Sequence, residues 1–147
     1  MTPDPSATRM ETLTKPELIL SWICRAVAAA ILLQTLFFKF TGAAESVYIF
    51  TRVGIEPWGR YGTGLAELVA TVLLLMPRFA WAGGLLALAL MGGALGSHAA
   101  VLGIVVQNDH GLLFGLAVTV FVCGLVTAIL HRRDIPHQCH RCQNLPQ

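Results

Sequence analysis

Glu67 is the single carboxylate in an apolar run from about Arg60 to Met76. It sits about nine residues from either end of that run, roughly 13 Å deep at 1.5 Å per residue. A carboxylate so deep in a nonpolar medium is protonated, paired with a cation or turned to water. Arg25 lies seven residues into the run that begins at Leu18, roughly 10 Å from its start. Its long side chain reaches toward Glu67 if the two helices are neighbours, as sequential antiparallel helices usually are. Two readings stand side by side. One is a structural Arg25–Glu67 pair that fixes helix register. The other is a proton site or a seat for a quinone headgroup.

Lys39 comes at the far end of the same run as Arg25, where a lysine snorkels to the interface. His98 lies well along a third run, and Asp109 and His110 follow in the loop beyond it. These four, with Glu45, are expected to gather at the end of the molecule away from the termini. Histidine exchanges a proton near neutral pH, which suits a quinol site. A histidine in an apolar helix also serves as a hydrogen-bond link between helices, and that is the simpler reading of His98. His110 reads as a plain loop residue.

Near the C-terminus the chain runs Ile135-Pro-His-Gln-Cys-His-Arg-Cys142. Cys139 and Cys142 form a C-x-x-C with His137 and His140 beside it, and thiolate and imidazole are good zinc ligands. A single such knuckle does not complete a tetrahedral site. His131 or a second subunit would have to contribute, so two exposed thiols on a polar tail are the preferred reading and zinc the second. The haem attachment pattern fails because Gln143 follows Cys142. Cys24 and Cys123 lie in apolar runs and read as small apolar residues.

The elements that must position these residues are four apolar helices. The expected spans are about 18–40, 60–77, 79–104 and 111–131, each near the 20 or so residues that a bilayer requires. The stretch from Phe79 to Val106 holds no Asp, Glu, Lys or Arg, and neither does Gly111 to Leu130. The runs are continuous, without the period-two alternation of barrel strands. Pro77 disfavours helix at the residue before it, and Asp109 is placed to cap the fourth helix. The segment from about Thr41 to Gly59 reads as a large external loop whose Tyr48, Phe50 and Trp58 anchor at headgroups. Small residues recur four apart at Gly62, Ala66 and Ala70, at Gly92, Gly96 and Ala100, and at Gly111 and Gly115. Such stripes let lipid-embedded helices approach closely. Packing within the bundle is preferred over a homo-oligomer face. Residues 1–17 read as a polar lead and 132–147 as a polar tail.

Composition agrees. The chain has 147 residues, 55% hydrophobic and only 12% charged, with a mean hydropathy of +0.67. Soluble domains carry about 25% charge. A net charge of +2 is too small for a nucleic-acid binder. Both termini should share one side. Arg9, Lys15, Arg78, Arg132, Arg133 and Arg141 flank that side, against Arg52 and Arg60 on the other, with Lys39 as a third if it is counted, and this bias favours cytoplasmic termini. In a bacterial host the compartment would be the inner membrane. No flavin, haem or iron–sulfur motif is present, so electrons for any redox role would come from a partner.

The motifs Phe37-Phe-Lys-Phe-Thr-Gly42, Gly64-Leu-Ala-Glu-Leu-Val69, Leu73-Leu-Leu-Met-Pro77, Leu90-Met-Gly-Gly-Ala94 with His98, and Gln107-Asn-Asp-His-Gly111 occur in that order. Together they resemble the DoxX-like family of small four-helix membrane proteins, over about Leu18 to Leu130. The resemblance implies an all-α integral membrane four-helix bundle. It implies an accessory role in quinone-linked redox or thiol and oxidative-stress metabolism, with Glu67 and Lys39 at polar positions of the family. The cysteine tail lies outside the resemblance. The alternative functions are a non-catalytic membrane protein that binds or transports a small ligand near Glu67 and His98, and a structural partner in a membrane complex.

Overall fold

The computed structural model describes residues 14–132. Among these residues every regular element is helical: α1 (Lys15–Thr41), α2 (Ala44–Val53), α3 (Trp58–Leu75), α4 (Ala80–Ser97) and α5 (Leu112–Leu130). A 3-10 turn (Pro77–Phe79) joins α3 to α4, and a π-helical turn (His98–Leu102) extends α4. The tail residues Cys139, Cys142, His137 and His140 lie outside the described residues.

Local chemistry sets the helix ends. The Glu17 carboxylate accepts from the amide and hydroxyl of Thr14, each at 2.8 Å, which fixes the start of α1. Gly42 ends α1 in the left-handed region, and α3 stops just ahead of Pro77, as proline requires. The expected loop after α1 is instead largely helix. The segment Ala44–Val53 has Glu45 in its first turn and Arg52 in its last, charges that oppose the helix dipole, and left-handed Gly54 closes it. Ten residues are too few to register as a span in the sequence, and among the described residues the α-helices number five where four were expected.

Helices α1, α3, α4 and α5 form a closed ring in which α1 and α4 each pack on α3 and α5. The core is built from small side chains: Ala28, Ala70, Ala87 and Ala117 surround Leu32, Leu74 and Val120. The closest approach is at glycines. A Cβ on Gly83 would lie 2.5 Å from the backbone nitrogen of Leu74, and one on Gly84 would lie 2.9 Å from the carbonyl oxygen of Gly124. These are not the glycines of the expected stripes. Gly62, Gly96 and Gly115 have nothing within 4 Å of a would-be Cβ, and Gly92 has only the Phe121 ring edge at 4.0 Å.

Large apolar side chains point outward instead of inward. Ile19, Phe37, Leu65, Leu85, Val122 and Ile129 are all exposed. Three helical segments are long and apolar enough to cross a membrane: Lys15–Thr41, Pro77–Leu102 and Leu112–Leu130. Helix α3 carries Arg60 and Glu67, both buried within the bundle.

Candidate functional site

The ring is antiparallel between α1 and α3, so the start of α1 lies beside the end of α3. That register decides the partners of the buried charges. Arg25, 1% exposed, donates through Nε to the carbonyl of Leu74, in the last turn of α3. Carbonyls there lack helical partners and carry the negative end of the helix dipole. Glu67 is two turns, roughly 10 Å, further along. The expected Arg25–Glu67 pair is therefore not formed.

Lys39 takes the place assigned to Arg25. Its Nζ forms an ion pair with Glu67 Oε1, where a lysine snorkelling to the interface was expected. The Thr35 hydroxyl, one turn back on the same face of α1, lies 3.2 Å from Glu67 Oε2 and 2.9 Å from the Leu32 carbonyl oxygen, so its one proton is shared between the two acceptors. Thr71 donates to the Glu67 backbone carbonyl at 2.8 Å. Glu67 is 3% exposed, so its charge is met by a cation and a hydroxyl instead of by water. Beyond this pair Arg60 donates through Nη1 to the carbonyl of Lys39 and through Nε to Glu56 Oε1 at 2.8 Å. Arg60 thus holds the end of α1 that presents Lys39. In the sequence Arg60 stands out only as a flanking charge. The Glu56/Arg60 spacing of four was the available signal.

His98 begins the π turn. Its Nδ1 lies 2.7 Å from the carbonyl of Gly103. A carbonyl only accepts, so Nδ1 carries the proton and donates, and in the uncharged tautomer Nε2 is left as the acceptor. The ring meets Phe114 edge-on at 5.6 Å between centroids. Asp109 is a loop fastener. Its oxygens accept from the amides of Val106 at 2.8 Å, Gly111 at 3.0 Å and Leu113 at 2.9 Å. Gly111, not Asp109, occupies the N-cap position, but the Leu113 bond still serves the first turn of α5. Burial pushes the Asp109 carboxyl up, but the amides of Leu113, Gly111 and Val106 and the nearby His98 outweigh it and hold it below the usual range. His110 is exposed.

Lys39, Glu45, Glu67, His98 and Asp109 share one cavity of about 610 Å³, lined by residues of α1, α2, α3, α4 and α5. Of the residues expected at this end, Lys39, Glu45, His98 and Asp109 line the cavity and His110 does not. The wall is mainly aliphatic and aromatic, with Leu32, Ile49, Phe50, Met91, Leu113 and Leu116 among its members. The volume falls within the roughly 300–1,000 Å³ of small-molecule sites. An occupant would meet ammonium protons at Lys39, carboxylate oxygen at Glu67, hydroxyls at Thr35 and Ser46, and an imidazole at His98.

The opposite end is polar in places but closed. Ser21 Oγ and His131 Nε2 are 2.8 Å apart and both side chains are buried, so His131 joins α1 to the end of α5. Cys24 and Cys123 are free and buried. Among the described residues no three His, Cys, Asp or Glu side chains gather as metal ligands. Comparison of the chain with protein-family models, with curated proteins and with solved structures finds no match.

Proposed function

We propose that this chain is a DoxX-like integral membrane protein that binds a quinone, as an accessory component of membrane redox or thiol and oxidative-stress metabolism. The observation that carries the reading is the Lys39–Glu67 pair set in the wall of an apolar cavity of about 610 Å³. Helices α1, α3, α4 and α5 would be the four spans, with both termini in the cytoplasm. The outward-facing Ile19, Phe37, Leu65 and Ile129 support lipid as the surrounding medium, since a soluble monomer seldom exposes such continuous apolar surface. The charges of α3 are compatible with a span because both meet partners inside the bundle.

The residues fit a quinone. Lys39 would donate to a carbonyl oxygen of the headgroup, Glu67 would hold the ammonium in position, and the aliphatic wall would take the ring and the first part of the tail. A bound quinone supplies two-electron chemistry, with electrons from a partner protein in the membrane or beside it. The His98 Nε2 acceptor could receive a hydrogen bond from a ring hydroxyl.

Membranes carrying wild type or Glu67→Gln at equal protein level test the redox role. Reductant-driven turnover of the quinone pool should fall in the variant. An unchanged rate would remove that role. The non-catalytic reading rests on the same cavity and on the mutual neutralisation of Lys39 and Glu67. It gains if quinone co-purifies with the protein while the rate stays unchanged.

A further inference from the structure

The cavity is closed on one side by α2. Glu45, Ser46, Ile49, Phe50 and Val53 all line it. This helix is short, and it hangs between Gly42 at φ 69° and Gly54 at φ 83°, left-handed positions that favour glycine. It touches α1, α3 and the π turn, and it takes no place in the ring of four long helices. A helix so attached belongs to the part of a fold that opens at low free energy.

Ser46 is the exceptional residue on α2. It is 8% exposed and lines the cavity, yet its Oγ has no hydrogen-bond partner in the protein. Among the described residues the serine and threonine hydroxyls of the four long helices are engaged. Thr63, Thr71, Ser97, Thr119 and Thr127 each bond a backbone carbonyl of the preceding turn. A serine four residues after Gly42 could do the same but does not. A buried hydroxyl without a partner is destabilising, and such groups call for an explanation in native folds. Lys39 Nζ lies 6.0 Å from the centre of the Phe50 ring, so the same helix abuts the ion pair.

We infer that α2 is the gate of the cavity and that Ser46 reads the ligand, giving the hydrogen bond of its hydroxyl to an oxygen of the occupant when the helix closes. This rests on the ligand-binding reading above. It assigns ligand selection to a residue outside the Lys39–Glu67 pair and entry to one helix. The ligand class is a lipophilic molecule with at least two oxygens, one for Lys39 and one for Ser46, which a para-quinone supplies.

The test uses the full chain in lipid nanodiscs with a decyl-substituted benzoquinone as probe, followed by quenching of tryptophan fluorescence. Ser46→Ala should weaken binding about five- to tenfold, the loss of one neutral hydrogen bond. In ligand-free protein the same substitution should leave the unfolding temperature unchanged or raise it, because it removes an unpartnered polar group. Amide exchange over residues 44–53 should be faster than in α1 and α3, and the probe should slow it in wild type more than in Ser46→Ala. Equal affinity in the two proteins overturns the assignment of Ser46. So does a lower unfolding temperature, which would mark a structural hydroxyl. Exchange in α2 as slow as in α1 overturns the gate. If wild type does not bind the probe, the quinone reading falls by itself, and the unfolding temperature and the ligand-free exchange still decide the roles of Ser46 and α2.

Discussion

The two ends of the bundle are built from the same four helices but packed by different rules. At the end bearing Ser21, Arg25 and Leu74, backbone meets backbone. Gly83 abuts α3 and Gly84 faces Gly124, and the side chains between them are small. At the end bearing Lys39, Glu67 and His98, the helices leave a cavity of about 610 Å³, and a fifth helix covers it. Helix α4 runs through both regions. Its glycines near the start are filled against neighbours, whereas Gly93 lines the cavity with nothing within 4 Å of a would-be Cβ. The difference teaches that glycine on one apolar helix can serve contact in one turn and vacant volume in another. It also separates stability from function: the closed end holds the ring together, and the open end holds the groups that can bind a ligand.

Five variants break or sharpen that contrast. The largest effect is expected at the ion pair. Lys39→Met leaves the Glu67 charge buried without its cation, which should destabilise the protein by about 3–5 kcal/mol in thermal unfolding. The double variant Lys39→Met/Glu67→Leu should return most of that stability, since a well-packed apolar pair replaces a buried ion pair at little net change. It should not bind quinone. Next comes Gly83→Ala, whose methyl would meet the backbone of Leu73 and Leu74. Backbone cannot swing aside, so a loss of about 1–3 kcal/mol is expected from overpacking.

A smaller loss, about 1 kcal/mol, is expected for Asp109→Ala, which removes an acceptor at the start of α5. The same carboxylate gives a pH signature. Its folded pKa is depressed, so its contribution is complete above the unfolded carboxylate value of about 3.9. It is lost as pH falls through the lower folded value. Protection factors at Val106, Gly111 and Leu113 should therefore hold through mildly acidic pH and fall only below the ordinary carboxylate range. The smallest effect has the opposite sign. Gly93→Ala should stabilise by about 0.5–1 kcal/mol, the usual gain for alanine over glycine inside a helix. Destabilisation there would show that the open end is packed like the closed one.

The sequence was legible where burial follows a simple count. The long apolar runs marked four of the helices to within a few residues, Pro77 marked the end of α3, and depth singled out Glu67. His98 and Asp109 could be assigned to one end because helix direction alternates along the chain. Helix phase was the missing quantity. Helices α4 and α5 are apolar on every face, so nothing in their periodicity tells which glycines turn inward. Four-residue spacing points to Gly92, Gly96 and Ala100 on α4 and the π turn that extends it, whereas the adjacent pair Gly83 and Gly84 makes the close contacts. The partner of Glu67 failed on register. Arg25 and Lys39 were both within the reach that sequence distance allows, and the axial offset of α1 against α3 picked Lys39. Helix α2 was missed because a ten-residue amphipathic segment between glycines resembles a loop in composition.

Mass spectrometry of small molecules that co-purify in mild detergent tests the central claim most directly. Wild type and the Lys39→Met/Glu67→Leu variant would be purified in parallel and shown to unfold at similar temperatures. The account predicts a quinone with the wild type and none with the variant. Wild type without a quinone, or a folded variant that retains it, would contradict the claim that the cavity at Lys39 and Glu67 is a quinone site.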